Sequence, residues 1–232
     1  MRIHYLQHVP FENLGFINDW ADENECTTTK TAVFNGEAFP TLDHIDVLIV
    51  LGGPMSVCNE TDFPWMKEEK EFIHSAIKAN IKVIGICMGA QLIASLLGAR
   101  VYKSPSEEIG WHTIKLKKEH WPFLTGSKEF LAMQWHSDTF DLPQGTLLLA
   151  ESEACPHQAF LYQKHVLCLQ FHLEFTRDIV RMVAENEGEL SSGPYIQDPA
   201  FILSQDQYFE ESKKVLSGLL NRFLLVNSRP FS

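Results

Sequence analysis

The chain has 232 residues, of which 45% are hydrophobic and 21% are charged, a balance typical of a globular protein with a sizeable buried core. Its 30 acidic and 19 basic side chains give a formal net charge of −11, which argues against nucleic acid and anionic membrane surfaces as partners. The length favours a single domain over residues 1–232, with a core over about 3–187 and a helical extension over about 188–232.

The cysteines do not form the pattern of a disulfide framework or of a zinc site. They are odd in number, widely spaced and without a Cys-x-x-Cys pair: Cys26, Cys58, Cys87, Cys155 and Cys168. The sequence shows no secretory signal and no apolar run of membrane-spanning length. We therefore expect a cytoplasmic protein with reduced thiols that requires no metal and no other cofactor.

Short apolar runs alternate with helical patterns along the first two thirds of the chain. The runs lie at residues 3–8, 46–51, 82–87, 147–150 and 166–171. Continuous apolar runs of this length are typical of strands that are buried on both faces of a parallel sheet. Residues 64–80 place apolar side chains at helical spacing and residues 67–70 on the opposite, polar face, which predicts a βαβ crossover.

Further patterns predict the helices and a ribbon beside this sheet. A helix is expected over 88–97, closed by Gly98, and another over 176–187 with Thr176 as its N-cap. A polar loop over 188–199 and a last helix over about 205–226 follow. Between the helices predicted at 88–97 and 176–187, residues 113–116 and 131–134 predict antiparallel strands. The fold class is thus α/β, a doubly wound and mostly parallel sheet flanked by helices, with a small antiparallel ribbon.

Cys87 stands at the centre of Gly85-Ile86-Cys87-Met88-Gly89, the spacing of a nucleophile elbow. Small flanking residues allow a strand to turn sharply into a helix, so that the thiol is pushed out of the sheet. The positive end of the following helix favours the thiolate, and backbone N–H groups at the turn can bind an oxyanion. A buried structural role is the alternative for any cysteine, and it holds for the other four.

The run at 166–171 continues into His172 and Glu174, two residues apart. On a strand, this spacing places both side chains on one face. His172 can then take the thiol proton while Glu174 orients the imidazole, which with Cys87 makes a nucleophile, base and orienter triad.

These segments resemble the class I glutamine amidotransferase family, whose members carry Gly-x-Cys-x-Gly-x-Gln and a later His-Pro-Glu. The chain has Gly85 to Gln91 in the first pattern, Leu173 in place of the proline in the second, and the family's Gly-Gly-Pro loop at 52–54. The resemblance covers residues 3–187 and implies a flavodoxin-like fold. Within the family, the chain is similar to the amidotransferase domain of GMP synthase, in residues 52–57 and 108–111.

The resemblance also implies roles for individual residues. Backbone N–H groups of Gly53 and Met88 would form the oxyanion hole. The amino-acid end of glutamine would be held by Gln91, His136, Ser137 and Asp138. The implied reaction is the hydrolysis of glutamine to glutamate and ammonia through a γ-glutamyl thioester.

The partner and the substrate remain open at the level of sequence. No P-loop and no pyrophosphatase loop is found in the chain, so a synthetase that accepts the ammonia would be a separate partner chain. One alternative is a γ-glutamyl peptidase acting on γ-glutamyl peptides or glutathione conjugates. Another is a non-catalytic member that binds a small molecule or protein. Related cysteine-elbow stress proteins share the fold but lack the Gly-Gly-Pro and His-x-Glu pair.

Overall fold

The structure is a computed structural model that describes residues 1–117, 128–188 and 190–225. Nine strands lie in these ranges: β1 (Arg2–Gln7), β2 (Thr27–Ala32), β3 (Val47–Val50), β4 (Lys82–Ile86), β5 (Val101–Leu116), β6 (Glu129–Phe140), β7 (Thr146–Glu151), β8 (Ala159–Tyr162) and β9 (Val166–Leu169). The helices are α1 (Phe16–Glu23), α2 (Trp65–Lys78), α3 (Met88–Leu96), α4 (Arg177–Glu187), α5 (Pro199–Leu203) and α6 (Asp206–Leu220). Short 3₁₀ turns at Val33–Asn35 and Leu42–His44 and a π turn at Asn221–Leu225 complete the described elements.

The described strands form one mixed sheet in the order β2-β1-β3-β4-β9-β8-β7-β5-β6. The first five strands in this order run parallel to one another, and β9 pairs antiparallel with its next neighbour, β8. Successive side chains of a strand point to opposite faces, and in β3 both faces are buried. Ile49 packs with α1 and α6 on one face, and Leu48 packs with α2 and α3 on the other. The prediction of an α/β sheet covered by helices on both faces is confirmed.

The antiparallel part is larger than the sequence patterns suggested. The run at 147–150 was expected among the parallel strands, but it belongs to β7, which pairs antiparallel with β8. A parallel pair needs a crossover of about a dozen residues or more, and only residues 152–158 separate these two strands. The predicted strands at 113–116 and 131–134 lie within the longer pair β5 and β6, and the segment 118–127 between them lies outside the described residues.

Two strands were missed for physical reasons. β2 lies at one edge of the sheet, where side chains are partly exposed, and its sequence of mostly threonines contains no apolar run. Threonine is nevertheless a good strand former, since its branched Cβ suits the pleated backbone. β8 has only four residues, too few for a periodic signal.

The predicted helices are confirmed with small shifts at their ends. The Thr176 side chain accepts a hydrogen bond from Ile179 N at 3.3 Å at the start of α4, and Gly98 follows α3 with a φ of 86°. One residue of α2 was misplaced, because Glu69 was expected on the polar face and is fully buried. The end of the last predicted helix, Val226, lies outside the described residues.

The C-terminal helix α6 packs on the sheet beside α1. Leu216, Leu219 and Leu220 share a buried cluster with Ile17 and Trp20 of α1. None of the helices in the described ranges is both long enough and apolar enough to cross a membrane.

Candidate active site

Cys87 lies at a sharp turn between β4 and α3. Its backbone has φ 52° and ψ −112°, a strained conformation for a residue with a side chain. Neither elbow glycine has room for a side chain. A Cβ on Gly89 would lie 2.2 Å from Val50 O, and one on Gly85 would lie 2.6 Å from Ile93 Cδ1. The predicted elbow is therefore present, and it holds the thiol at the first turn of a helix.

His172 and Glu174 lie just beyond the sheet rather than on a strand. The sequence pattern suggested a strand that included both, but β9 ends at Leu169. His172 is held instead by backbone hydrogen bonds with Met133, from His172 N to Met133 O at 2.8 Å and from Met133 N to His172 O at 3.3 Å. The two predicted side chains still meet, since His172 Nδ1 lies 2.6 Å from Glu174 Oε1.

The surroundings of the imidazole limit its motion and set its charge. Phe175 stacks on the ring at a centroid distance of 3.8 Å, and the second Glu174 oxygen accepts from Leu173 N at 3.0 Å. Burial by itself would lower the pKa of His172. The negative charges of Glu174 and of an ionised Cys87, together with hydrogen bonds to both, raise this pKa well above its ordinary value. The environment therefore favours a protonated imidazole at His172.

The thiol opens into a cavity of about 280 Å³ at the carboxyl end of the parallel strands. The site residues predicted from sequence that line this cavity are Gly53, Cys87, Met88, Gln91, His136, Ser137, Asp138 and His172. Glu174 lies behind His172, against the imidazole nitrogen that faces away from the thiol. All nine predicted residues are thus brought to one place in the fold.

Two backbone N–H groups beside the thiol are free to bind a ligand oxygen. Within residues 1–117, 128–188 and 190–225, neither Gly53 N–H nor Met88 N–H donates a hydrogen bond. Met88 N–H belongs to the first turn of α3, where donors lack partners inside the helix. Both residues line the cavity, so the pair is suited to an oxyanion.

The predicted substrate-binding residues form a connected wall of the cavity. Gln91 Nε2 donates to Asp138 O at 3.1 Å and to Gln170 Oε1 at 3.2 Å, so this amide also supports the segment around Asp138. Lys103 Nζ lies 2.9 Å from Ser137 Oγ and 3.0 Å from Asp138 Oδ1. A cation and an anion at this end of the cavity match the two charged groups of an amino acid.

His136 is part of a buried polar cluster behind that wall. Its Nδ1 donates to Asp138 O at 3.0 Å, and its Nε2 lies 3.2 Å from Glu108 Oε2. Glu108 also accepts hydrogen bonds from Ser152 Oγ and Gln158 Nε2, each at 2.7 Å. The cluster fixes the backbone that presents Ser137 and Asp138.

Glu12 is a cavity residue that sequence reasoning missed. Its side chain is 7% exposed and makes no hydrogen bond to the residues described in the structure. A Cβ on Gly52 would lie 2.7 Å from Glu12 Oε2, 3.2 Å from His172 Cε1 and 3.4 Å from Cys87 Cβ, which places the carboxyl close to the reactive pair. Burial raises the pKa of Glu12 to about 7. The available signal was its position after β1, since parallel strands all end at the same edge of the sheet.

No group of three or more His, Cys, Asp or Glu side chains in the described ranges is arranged to hold a metal ion. The groups that meet at the site are a thiol, a histidine–carboxylate pair and two backbone N–H donors.

Comparisons with known proteins identify the family to which the chain belongs. A glutamine amidotransferase-like protein of Salmonella typhimurium, YfeJ, is 34% identical over 232 residues, with 97% of this chain and 96% of the relative covered. The solved structure of a glutamine amidotransferase from Thermotoga maritima has a TM-score of 0.86 at 28% identity and covers 98% of this chain and 99% of that one. GMP synthase of Thermosipho africanus is 36% identical over 56% of this chain, but the match spans only 24% of the synthase. A model of the family described as glutamine amidotransferase class-I matches residues 17–181, so the chain belongs to the class I glutamine amidotransferase family.

Proposed function

We propose that the protein hydrolyses the γ-amide of glutamine to glutamate and ammonia, with Cys87, His172 and Glu174 as the catalytic triad. The observation that carries the proposal is the elbow thiol facing the same cavity as an imidazole that is held by a buried carboxylate at 2.6 Å. A nucleophile, a base and a residue that orients the base are the parts that acyl transfer through cysteine requires.

In the first half of the reaction, Cys87 thiolate attacks the carbonyl carbon of the γ-carboxamide of the substrate. The carbonyl oxygen becomes an oxyanion that Gly53 N–H and Met88 N–H bind. When the tetrahedral intermediate collapses, the imidazolium of His172 donates its proton to the leaving nitrogen, and ammonia departs. The γ-glutamyl group is left on Cys87 as a thioester, and His172 is neutral.

In the second half, His172 takes a proton from a water molecule that attacks the thioester carbon. The same two N–H groups bind the second oxyanion. Its collapse breaks the bond to sulfur, which releases glutamate and restores the thiolate beside the imidazolium. Glu174 remains ionised throughout and keeps the imidazole in one orientation.

We assign the amino-acid end of the substrate to the cavity wall that contains Lys103 and Asp138. Asp138 would bind the α-ammonium group and Lys103 the α-carboxylate, with Gln91, His136 and Ser137 holding the segment in place. A synthetase chain that accepts the ammonia is the partner we propose for a glutaminase of this kind. The five unpaired cysteines support a reducing, cytoplasmic setting for the reaction.

A second candidate function is the hydrolysis of γ-glutamyl peptides. The cavity is also lined by Val183 and Glu187 of α4 and by Phe175 and Leu190 on either side of that helix, which add an apolar wall and a charge. Ammonia needs no such space, whereas an amino acid or peptide leaving group would fill it. The same triad would cleave either substrate.

The test compares glutamate release from glutamine, glutathione and γ-glutamyl dipeptides by the wild-type protein, Cys87→Ala and Cys58→Ala. A buried role was expected for Cys26 and Cys58, but Cys26 is half-buried and Cys58 is exposed. Cys58 also lies outside the cavity, so its variant is the matched control. We expect Cys87→Ala to lose at least about 10³-fold in kcat and Cys58→Ala to lose none. Preference for glutamine supports the amidotransferase, and preference for dipeptides supports the peptidase. Release that survives in Cys87→Ala contradicts the proposed role of Cys87. No release from any substrate contradicts the catalytic proposal as a whole and favours a binding protein.

A further inference from the structure

A second histidine–carboxylate pair lies behind the Gly-Gly-Pro loop. His8 follows β1 directly, and both His8 and Glu69 of α2 have side chains with no exposed surface. His8 Nε2 lies 2.7 Å from Glu69 Oε1, and His8 Nδ1 lies 3.0 Å from Gly52 O. Trp65 packs against the ring at a centroid distance of 5.6 Å. The pair therefore reaches from α2 to the loop that lines the cavity.

The bond to Gly52 O controls the direction of the neighbouring N–H. The carbonyl of Gly52 and the N–H of Gly53 belong to one peptide unit, which is planar and trans, so they point in opposite directions. His8 does not line the cavity, whereas Gly53 does. By holding the carbonyl on the buried side, His8 turns Gly53 N–H towards the side of the cavity.

The hydrogen-bond partners also determine where the protons are. A carbonyl oxygen only accepts, so His8 Nδ1 must carry a proton and donate it to Gly52 O. A further proton is required between His8 Nε2 and Glu69 Oε1. Burial alone would lower the pKa of His8, but the Glu69 charge, hydrogen bonds to Glu69 and Gly52, and the Glu12 charge raise it. The donor at Nδ1 is therefore kept, and its pull on the carbonyl makes Gly53 N–H a stronger donor.

We propose that His8 and Glu69 are positioning residues, which hold the Gly52–Gly53 peptide so that Gly53 N–H faces the reacting carbonyl. The inference rests on the proposed function, because it takes Gly53 N–H as an oxyanion donor. The site then has two histidine–carboxylate pairs. His172 and Glu174 serve the thiol, and His8 and Glu69 serve the oxyanion.

The test uses two substitutions of His8 that differ in which imidazole nitrogen the new amide group mimics. His8→Asn can place an amide N–H near the position of Nδ1 and keep the donor to Gly52 O, whereas His8→Gln places its amide near Nε2 and loses that donor. His4→Gln is the control, since His4 is buried in β1 and its two ring nitrogens contact the hydroxyls of Thr29 and Thr31. We expect kcat to fall about 10²-fold or more in His8→Gln and less than about tenfold in His8→Asn, with KM within about threefold in both.

Two further measurements separate this role from a purely structural one. Alkylation of Cys87 by iodoacetamide needs no oxyanion hole, so its rate is expected to stay within about twofold in every folded variant. The amide resonance of Gly53, in protein labelled with ¹⁵N-glycine, is expected to shift strongly in His8→Gln and less in His8→Asn.

The outcomes are distinct from those that test the reaction itself. Equal kcat losses in His8→Asn and His8→Gln, or alkylation that falls with kcat, would overturn the positioning role. If the wild-type protein hydrolyses no γ-glutamyl substrate, the proposed function fails. The Gly53 resonance then still decides whether His8 orients the peptide, since an unchanged resonance in a folded His8→Gln protein contradicts it.

Discussion

His172 and Glu174 form a closed pair, with Nδ1 and Oε1 2.6 Å apart and both side chains about 2% exposed. The carboxylate has no solvent to compete for it, and its other oxygen accepts the N–H of Leu173. An interaction of this kind fixes both the ring orientation and the tautomer, which leaves Nε2 for the thiol. In the proposed reaction, Glu174 would therefore act only through His172.

Glu174→Gln is expected to reduce kcat about 10²- to 10⁴-fold while KM changes little. The amide fills the same space but carries no charge to stabilise the imidazolium. Steady-state glutamate release measures the effect. Glu185→Gln, at an exposed position of α4, is the control and should retain wild-type kcat. A loss confined to KM would show that Glu174 binds substrate rather than orienting the base.

Asp138→Asn is expected to raise KM for glutamine about 10- to 100-fold, with kcat within about threefold. A hydrogen bond to a charged group is worth about 1.5 to 3 kcal/mol, and an ammonium bound here would lose that interaction in the ground state and the transition state alike. Asp141→Asn is the comparison, because Asp141 directly follows β6, is partly exposed and pairs with Arg100. A fall in kcat at unchanged KM would place Asp138 in the chemistry instead.

Gly89→Ala is expected to destabilise the protein by at least about 3 kcal/mol in urea unfolding. The new methyl group would meet the rigid backbone of Val50, at 2.2 Å from its carbonyl oxygen, and neither α3 nor β3 can move without disturbing the elbow. Gly193→Ala is the matched control, since its nearest neighbour is a side-chain carbon at 3.5 Å. That variant should stay within about 0.5 kcal/mol of the wild type.

Local sequence signals located Cys87 well, because an elbow needs small residues at fixed spacing. They also identified His172 and Glu174 as neighbours, although for a partly wrong reason. The two side chains were expected to share a strand face, but the strand ends at Leu169 and the backbone bonds to Met133 hold His172 instead. Such long-range contacts leave no pattern in the local sequence.

Glu69 was missed because it was judged by its residue type rather than by its place, and His8 was not singled out within the run at 3–8. The charged run at 67–70 suggested a solvated face, yet Glu69 stands four residues before Ile73 and thus on the buried side of α2. Helical spacing alone would have placed it there. Its partner His8 comes from a segment 61 residues away, and only the fold brings the two together.

The wild-type protein is expected to become less stable as the pH rises, and Glu12→Gln is expected to abolish this pH dependence. The pKa of this buried carboxyl is raised from 4.5 to about 7, so between these values the unfolded chain is ionised while the folded protein retains the proton. Folding stability is then fully present below pH 4.5 and decreases as pH rises to about 7, by roughly 3 kcal/mol at most.

The charges that face Glu12 set the size of this effect. His172 and His8 lower its pKa, Glu174 and Glu187 raise it, and burial is the largest cause. Urea unfolding of the wild type and of Glu12→Gln at pH 5 and pH 7.5 measures the difference. The variant should be the more stable of the two at pH 7.5, because a neutral amide replaces a charge that lacks a hydrogen-bond partner among the described residues. Parallel pH dependences in the two proteins would mean that Glu12 is already ionised in the fold, held by the imidazolium of His172.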